Sequence, residues 1–138
     1  MPAIDHCEPQ VIRAFEKEGW RLIEKPFFMR TGHRIVLADF SAAKGVNGDK
    51  RQIVVTEVKC FADRQQDMPN LYTAAGQYMF YRHVLDTNNI LVPLYLAMPM
   101  IVYQRLVQDP VVLRVFRKIR IRFVLVDLEK AEIEQWID

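Results

Sequence analysis

The feature that most constrains the fold is a strand over residues 53–59, which is apolar at its start and charged at its end. Its first residues would present apolar side chains to both faces of a sheet, which predicts a central position. Side chains alternate along a strand, so Glu57 and Lys59 share one face and lie about 6 to 7 Å apart. Charges in a buried strand are costly without a partner or a metal ion. The end of this strand is therefore the first candidate site.

The other hydrophobic patterns place this strand in an α/β order. Asn47-Gly48 separates two apolar segments and predicts a hairpin between them. This order predicts an α/β fold with a central mixed sheet flanked by helices. The predicted elements are a helix beginning between Asp5 and Pro9 and ending near Gly19, a short strand over 20–23 and 27–29 interrupted by Pro26, strands over 34–40 and 52–60, a helix over 69–85, a strand over 90–97, helices over 99–107 and 110–119, and strands over 120–127 and 132–137.

Length and composition limit the classes of protein to which the chain can belong. Its 138 residues predict one domain over residues 1–138, and 51% hydrophobic with 26% charged residues excludes disordered and collagen-like chains. The longest apolar stretch is shorter than the roughly 20 residues of a membrane helix, and the first residues lack the pattern of a signal peptide. We therefore expect a cytoplasmic protein. The net charge of +2 argues neither for nor against nucleic acid as a partner.

The two cysteines, Cys7 and Cys60, are far apart, and neither belongs to a Cys-x-x-Cys pair. Their number and spacing exclude a zinc ribbon and a thiol redox motif. In a reducing compartment we expect both to be free thiols.

Asp39 adds a second carboxylate to the candidate site. It lies at the end of the predicted strand before the hairpin, and the hairpin can return it beside Glu57. Two carboxylates held close together repel each other unless a divalent cation neutralises them. Mg²⁺ or Mn²⁺ would take Asp39, Glu57 and the carbonyl of Val58 as ligands, and Lys59 would polarise a water or stabilise charge on a phosphate. The alternative is that Glu57 and Lys59 form an ion pair at the end of the sheet and that Asp39 begins a turn.

A basic segment near the carboxyl terminus is the second candidate surface. Residues 111–122 include five basic residues and no acidic one. Arg114, Arg117 and Lys118 share a helical face that suits contacts with DNA phosphates. The alternative is an ordinary solvated helix face.

The order of Asp39, Glu57 and Lys59 resembles the signature of the restriction-endonuclease-like fold. In that signature an aspartate ends one strand and Glu-x-Lys follows on the next, with helices before and after the hairpin. Ala38 stands where the signature often has a proline. The resemblance implies Mg²⁺-dependent or Mn²⁺-dependent cleavage of a phosphodiester.

The same resemblance implies supporting roles for three further residues. Glu8, near the start of the first helix, matches an acidic position that contributes to metal binding in some members, and it is equally a candidate helix cap. Gln77, in the helix that follows the hairpin, matches a polar position that supplements the catalytic residues. Tyr81 lies one helical turn beyond Gln77 and is a candidate DNA contact. A partly solvated helix surface is the alternative for both residues.

Five stretches spread over the chain carry a resemblance to one family: Met1-Pro2-Ala3 with Asp5, Glu18-Gly19-Trp20, Glu57-Val58-Lys59-Cys60-Phe61, residues 73–82 and residues 126–137. The chain resembles the XisH family, cyanobacterial proteins described as controlling factors for excision of the fdxN element. The resemblance implies a role in assisting a site-specific recombinase during DNA rearrangement in heterocyst development.

From this resemblance we expect DNA, an XisI-like protein and a site-specific recombinase as partners. We expect no association with a membrane, and both a monomer and a homodimer are compatible with the sequence. The expected activity is a Mg²⁺-dependent DNA endonuclease or nicking activity. The alternative is a catalytically silent accessory protein of nuclease fold that binds DNA or the XisI-like partner.

Overall fold

The central strand lies inside a mixed sheet, in a computed structural model that describes residues 6–45 and 51–138. The predicted α/β architecture, with helices flanking the sheet, is confirmed. The strands are β1 (Arg21–Glu24), β2 (Phe27–Arg30), β3 (Ile35–Ala38), β4 (Phe40–Lys44), β5 (Gln52–Val58), β6 (Leu94–Pro99), β7 (Phe123–Asp127) and β8 (Glu132–Ile137). The helices are α1 (Glu8–Lys17), α2 (Asp67–Thr87), α3 (Met100–Leu106) and α4 (Pro110–Ile119), and a 3₁₀ turn (Arg64–Gln66) precedes α2.

Six strands of the described chain form the main sheet, in the order β1-β4-β5-β6-β7-β8. The strands β5, β6 and β7 are parallel to one another. Antiparallel pairing of β1, β4 and β5 completes one side, and antiparallel pairing of β7 with β8 completes the other. β2 and β3 form a separate two-stranded sheet. β5 therefore has a neighbour on each side, as its doubly apolar start predicts.

The two faces of the main sheet bury separate hydrophobic clusters, because side chains alternate along each strand. Val55 belongs to the cluster formed with α2, α3 and α4, whereas Val54 and Val58 belong to the cluster formed with α1. Glu57 lies two residues after Val55, so its side chain is on the α2 side of the sheet. It is only 2% exposed, which encloses its carboxylate between the sheet and the helices.

The prediction of one strand over residues 34–40 is wrong, because the chain changes sheets within this segment. β3 ends at Ala38 and pairs with β2, whereas β4 begins at Phe40 and pairs with β1 and β5. On an unbroken strand these two residues would face the same side. Ala38 instead packs in the α2-side cluster and Phe40 in the α1-side cluster. The break that allows this lies at Asp39.

The short strand predicted on either side of Pro26 is also two elements. β1 joins the main sheet beside β4, whereas β2 pairs with β3 in the small sheet. The proline therefore marks the passage of the chain from one sheet to the other.

The hairpin between β4 and β5 is confirmed by antiparallel pairing that runs from Phe40 with Thr56 to Lys44 with Gln52. The Asn47-Gly48 turn that predicts it lies outside the described residues. The pairing brings the start of β4, and with it Asp39, next to the end of β5.

The predicted helices are confirmed to within a few residues at their ends. α1 begins at Glu8 and ends before Gly19, whose φ of +95° suits a glycine after a helix. Asp5, the earliest predicted start of this helix, lies outside the described residues. The last three apolar strands are also present, although β6 begins at Leu94 and β7 at Phe123, later than predicted. None of the helices in the two described ranges is long and apolar enough to cross a membrane.

The expectation that Cys7 and Cys60 are free thiols is wrong, because the two residues form a disulfide. Cys7 is the residue before α1 and Cys60 follows β5, and their Cα atoms are 5.9 Å apart, which suits a disulfide. Both belong to the α1-side cluster. The packing of α1 on the sheet joins them across 53 residues, and no local spacing in the sequence indicates such a pair.

Candidate active site

Asp39 and the end of β5 are joined by a direct hydrogen bond. The ladder between β4 and β5 ends at the pair of Phe40 and Thr56, so Val58 lies beyond it. The backbone N–H of Val58 instead donates to Asp39 Oδ2 at 2.6 Å. Asp39 is 8% exposed, and its carboxylate takes the place of the next strand residue as the hydrogen-bond acceptor. One carboxylate is thereby fixed at the end of the central strand.

Glu57 is a second buried carboxylate beside the first. Burial and then the charge of Asp39 raise the pKa of Glu57 from 4.5 to about 8. Lys59 Nζ lies 3.5 Å from Glu57 Oε2 and lowers this pKa without reversing the shift. Within the described residues, Glu57 Oε1 is buried and has no hydrogen-bond partner. A buried polar atom without a partner is costly, and a bound cation would remove that cost.

Helix α2 covers the two carboxylates. Burial, Glu57 and Asp39 raise the pKa of Tyr81 to about 12, so the phenol lies within electrostatic range of both acidic residues. Tyr81 is 8% exposed, which excludes the alternative of a solvated surface for this residue. Gln77 lies one turn earlier on the same helical face. Its side-chain oxygen is buried and, in the part of the chain that the structure describes, has no hydrogen-bond partner.

The donors around Glu57 fit a hard divalent cation. Mg²⁺ is usually held by one or two carboxylates and keeps several of its waters. Asp39 and Glu57 supply two carboxylates, and the carbonyl of Val58 is the adjacent backbone oxygen. No group of three or more Asp, Glu, His or Cys side chains in the described ranges could hold a metal ion. Waters, rather than a third acidic side chain, would therefore complete the coordination.

The ion-pair alternative is correct as far as the contact between Lys59 and Glu57 goes. It does not account for the buried Glu57 Oε1 without a partner or for the second carboxylate at Asp39. Because burial and Asp39 outweigh Lys59, one lysine does not neutralise the pair of acids. When both carboxylates are ionised, they carry more negative charge than Lys59 can neutralise.

Glu8 lies at the start of helix α1, which the disulfide between Cys7 and Cys60 holds near Lys59. It is the first residue of the helix, follows the N-cap residue Cys7, and is 2% exposed. An acidic side chain in the first turn stabilises a helix through its dipole. α1 packs on the sheet face opposite α2. Together with Asp39 and Glu57, Glu8 does not form a three-residue metal group among the described residues, and its role as a ligand stays a prediction.

A polar wall beside Lys59 was missed by the sequence analysis. A cavity of about 290 Å³ opens next to this lysine, and Asn70 and Thr73 of α2 line it. Asn70, Thr73, Gln77 and Tyr81 recur at intervals of three or four residues and so share one side of the helix. This polar stripe along α2 is the signal that could have indicated them.

The basic face predicted near the carboxyl terminus is present on α4. Arg114, Arg117 and Lys118 are all exposed, whereas Val112 and Phe116 of the same helix are buried. Contact of this face with DNA stays a prediction.

Comparison with known proteins identifies the family. The sequence model described as XisH protein matches residues 1–134. This chain belongs to the XisH family. The resemblance that its sequence motifs predict is confirmed, and the match covers the whole of the candidate site, Gln77 and Tyr81 included. No curated protein matches the sequence.

Two solved structures show that the XisH fold extends over almost the whole chain. An XisH family protein from Nostoc punctiforme PCC 73102 has a TM-score of 0.87 and 26% sequence identity, with 97% of this chain and 100% of that chain covered. An fdxN element excision controlling factor protein from Anabaena variabilis has a TM-score of 0.84 and 26% identity, with 95% and 97% covered. Both XisH comparisons include the sheet that holds Asp39 and Glu57.

Proposed function

We propose that this XisH protein is a divalent-metal-dependent DNA endonuclease or nicking enzyme of the restriction-endonuclease-like class. The observation that carries the proposal is the buried oxygen Glu57 Oε1, which has no partner among the described residues and lies beside a second carboxylate and a lysine. Strongly shifted pKa values in a group of buried acids are typical of functional sites. The order Asp39, Glu57, Lys59 resembles the signature of the restriction-endonuclease-like fold.

Each residue of the site has a role in this proposal. Asp39, Glu57 and the carbonyl of Val58 would hold Mg²⁺ or Mn²⁺, which when bound would activate a water and offset charge on a scissile phosphate. Lys59 is 21% exposed and can reach a phosphate oxygen or the attacking water while its other side faces Glu57. Gln77 would orient that water with its amide, and we include it with the catalytic residues.

The biological role that we propose is control of fdxN element excision. The Anabaena variabilis relative is described as an fdxN element excision controlling factor protein. A nick or break placed near an element boundary would assist a site-specific recombinase, during heterocyst differentiation in organisms that form these cells. We propose DNA, the recombinase and an XisI-like protein as its partners.

The proposal is tested by incubating supercoiled DNA with the protein, alone and with an XisI-like partner. We expect conversion to nicked or linear DNA with Mg²⁺ or Mn²⁺ and none with EDTA, because the carboxylates need a cation to bring a phosphate near. Separation of the DNA forms on an agarose gel measures the effect. Intact DNA under every metal and partner condition would contradict the enzymatic proposal.

A second candidate function is a catalytically silent accessory protein that binds DNA or the XisI-like partner. The observation that favours it is the exposed row of Arg114, Arg117 and Lys118 on α4, which can contact phosphates without any chemistry. Salt-dependent DNA binding together with intact DNA in the gel assay would favour this function.

The metal site itself is tested by thermal melts of the wild type and of Asp39→Asn. We expect Mn²⁺ at about 100 times its dissociation constant to stabilise the wild type by about 2.7 kcal/mol and to leave Asp39→Asn unchanged. In the absence of metal and above pH 8, where Glu57 is ionised as well as Asp39, Asp39→Asn should be as stable as the wild type or more so, because it removes one of two crowded charges. The asparagine oxygen can still accept the Val58 N–H.

The ion-pair alternative predicts the opposite pattern in the same melts. Loss of Asp39 would then leave Lys59 only partly compensated, so Asp39→Asn would be the less stable protein. A destabilised variant together with a wild type that does not respond to Mn²⁺ would exclude the metal site.

A further inference from the structure

A groove with three arginines opens close to the candidate active site. It has a volume of about 530 Å³, and Arg82, Arg120 and Arg122 line it together with the apolar residues 90–94. We call the cavity lined by Arg82, Arg120 and Arg122 the arginine groove. They come from α2 and from the segment between α4 and β7. Arg120 also lines a second cavity with Arg117, so the groove adjoins the row of basic residues along α4.

The arginine groove is braced by a hydrogen-bond network around Tyr78. The guanidinium of Arg82 stacks over the Tyr78 ring at 5.2 Å, and its Nη1 donates to the carbonyl of Arg120 at 2.9 Å. The Tyr78 hydroxyl donates to the Leu94 carbonyl at 2.8 Å and accepts from the backbone N–H of Arg122 at 3.1 Å. The backbone around the groove is thus held before any ligand arrives, which lowers the entropic cost of binding.

The positive charge of the arginine groove is not neutralised within the protein. In the described ranges, none of its three guanidiniums lies in an ion pair, and the ion pairs present are those of Lys59 and Arg105. Asp86 lines the groove, and Asp138 lies close by, since it lines a neighbouring cavity with Arg120 and acts together with Arg122 on the pKa of Tyr95. Three positive charges and two negative charges leave a net positive charge that suits an anion. Guanidinium groups match phosphate oxygens with paired hydrogen bonds.

Arg120 has a backbone conformation that a glycine would adopt more easily. It follows the last residue of α4 with a φ of +57°, in the left-handed region. Helices often end on glycine in this conformation, because residues with a Cβ atom are strained there. An arginine at this position therefore places a charged side chain in the groove at a conformational cost. Non-glycine residues held in such conformations are often functional.

The arginine groove borders β6, the strand next to the one that carries Glu57. Leu94 lines the groove and is paired with Val55, two residues before Glu57 on the adjacent strand. Glu57 is therefore one strand across from Leu94 and two residues farther along, which places their Cα atoms about 8 Å apart. α2 also connects the sites, since Tyr78 borders the groove and Tyr81 covers the carboxylates. A nucleic-acid strand carries a phosphate at every nucleotide, so neighbouring phosphates can occupy both places.

We infer that the arginine groove binds a backbone phosphate of the DNA strand whose neighbouring phosphate lies at the Asp39 and Glu57 carboxylates. This rests on the proposed function in taking DNA as the ligand, but it requires binding only and not cleavage. The groove would set the position of the strand relative to Lys59 and would read no bases, because phosphate contacts carry no sequence information.

Binding of a short labelled DNA duplex, measured by fluorescence anisotropy in EDTA over a series of salt concentrations, tests the inference. The double variant Arg120→Gln, Arg122→Gln should lower the slope of log affinity against log salt by about 0.9, since the groove holds one phosphate and each neutralised phosphate contributes about 0.9. Both side chains are exposed, and the backbone hydrogen bonds of the groove do not depend on them. The charge-preserving variant Arg120→Lys, Arg122→Lys should keep most of the slope. Arg13→Gln, on the exposed side of α1, is the matched control and should bind as the wild type does.

An unchanged slope in the glutamine variant would overturn the inference. This includes the case in which millimolar inorganic phosphate stabilises the wild type but not the variant, because the groove would then hold a small free anion. The nicking assay separates this failure from failure of the proposed function. A lowered slope with intact DNA would support phosphate binding by the groove and contradict the endonuclease activity. Metal-dependent nicking with an unchanged slope would support the endonuclease activity and contradict phosphate binding by the groove.

Discussion

Replacing Lys59 with alanine is expected to lower the rate of metal-dependent DNA nicking by about 10²- to 10³-fold, the loss typical when one group that stabilises transition-state charge is removed. The ammonium lies 3.5 Å from Glu57 Oε2 and is the only cation in ion-pair contact with that carboxylate among the described residues. The backbone N–H of Lys59 bonds to the Ala97 carbonyl at 2.9 Å, and this bond is independent of the side chain. The fold should therefore remain.

The rate is measured as the initial rate of nicking of supercoiled DNA at saturating Mg²⁺, with DNA affinity measured separately in EDTA. Lys130→Ala is the matched control, because Lys130 is an exposed lysine in the turn between β7 and β8, at the edge of the main sheet that is farther from β5. It should nick at the wild-type rate. Equal rates for Lys59→Ala and the wild type would mean that Lys59 has no catalytic role and only forms the ion pair with Glu57.

The fold was predictable from sequence where local patterns decide it. The apolar start of β5 predicts its central position, and the hairpin signal predicts the antiparallel pairing of β4 and β5. The break at Asp39 was not predictable in this way. Residues 35–38 are uniformly apolar and an apolar Phe40 follows the aspartate, so the sequence pattern favours one continuous strand. Tertiary packing instead sends Ala38 and Phe40 to opposite sides of the sheet.

The candidate site was predictable to the extent that it lies on one hairpin. The two-residue period of a strand places Glu57 and Lys59 on one face, and they form an ion pair. The hydrogen bond from Val58 to Asp39 replaces a strand partner, a consequence of the break that no sequence period reveals. Contacts between distant segments, such as the Cys7–Cys60 disulfide, depend on the packing of helices onto the sheet.

Below neutral pH, the wild type is expected to be more stable relative to Glu57→Gln than it is at pH 8. The folded-state pKa of Glu57 is raised from 4.5 to about 8, so the folded protein holds a proton that the unfolded chain releases. The stabilisation from that proton is complete below pH 4.5 and is lost as the pH rises to about 8. The difference in unfolding free energy between the two proteins should change by at most about 1.4 kcal/mol per pH unit, on the order of 3 kcal/mol between pH 5 and pH 8.

Chemical denaturation of both proteins across this pH range measures the effect, and groups that titrate in both proteins cancel in the difference. Asp39→Asn should lower the pH at which this stabilisation is lost, because the charge of Asp39 contributes to the raised pKa of Glu57. Saturating Mn²⁺ should also lower that pH, since a cation bound to the two carboxylates favours the ionised form of Glu57. A pH-independent difference between the wild type and Glu57→Gln would mean that Glu57 is already ionised in the folded protein. The site would then have no uncompensated negative charge for a metal ion to neutralise.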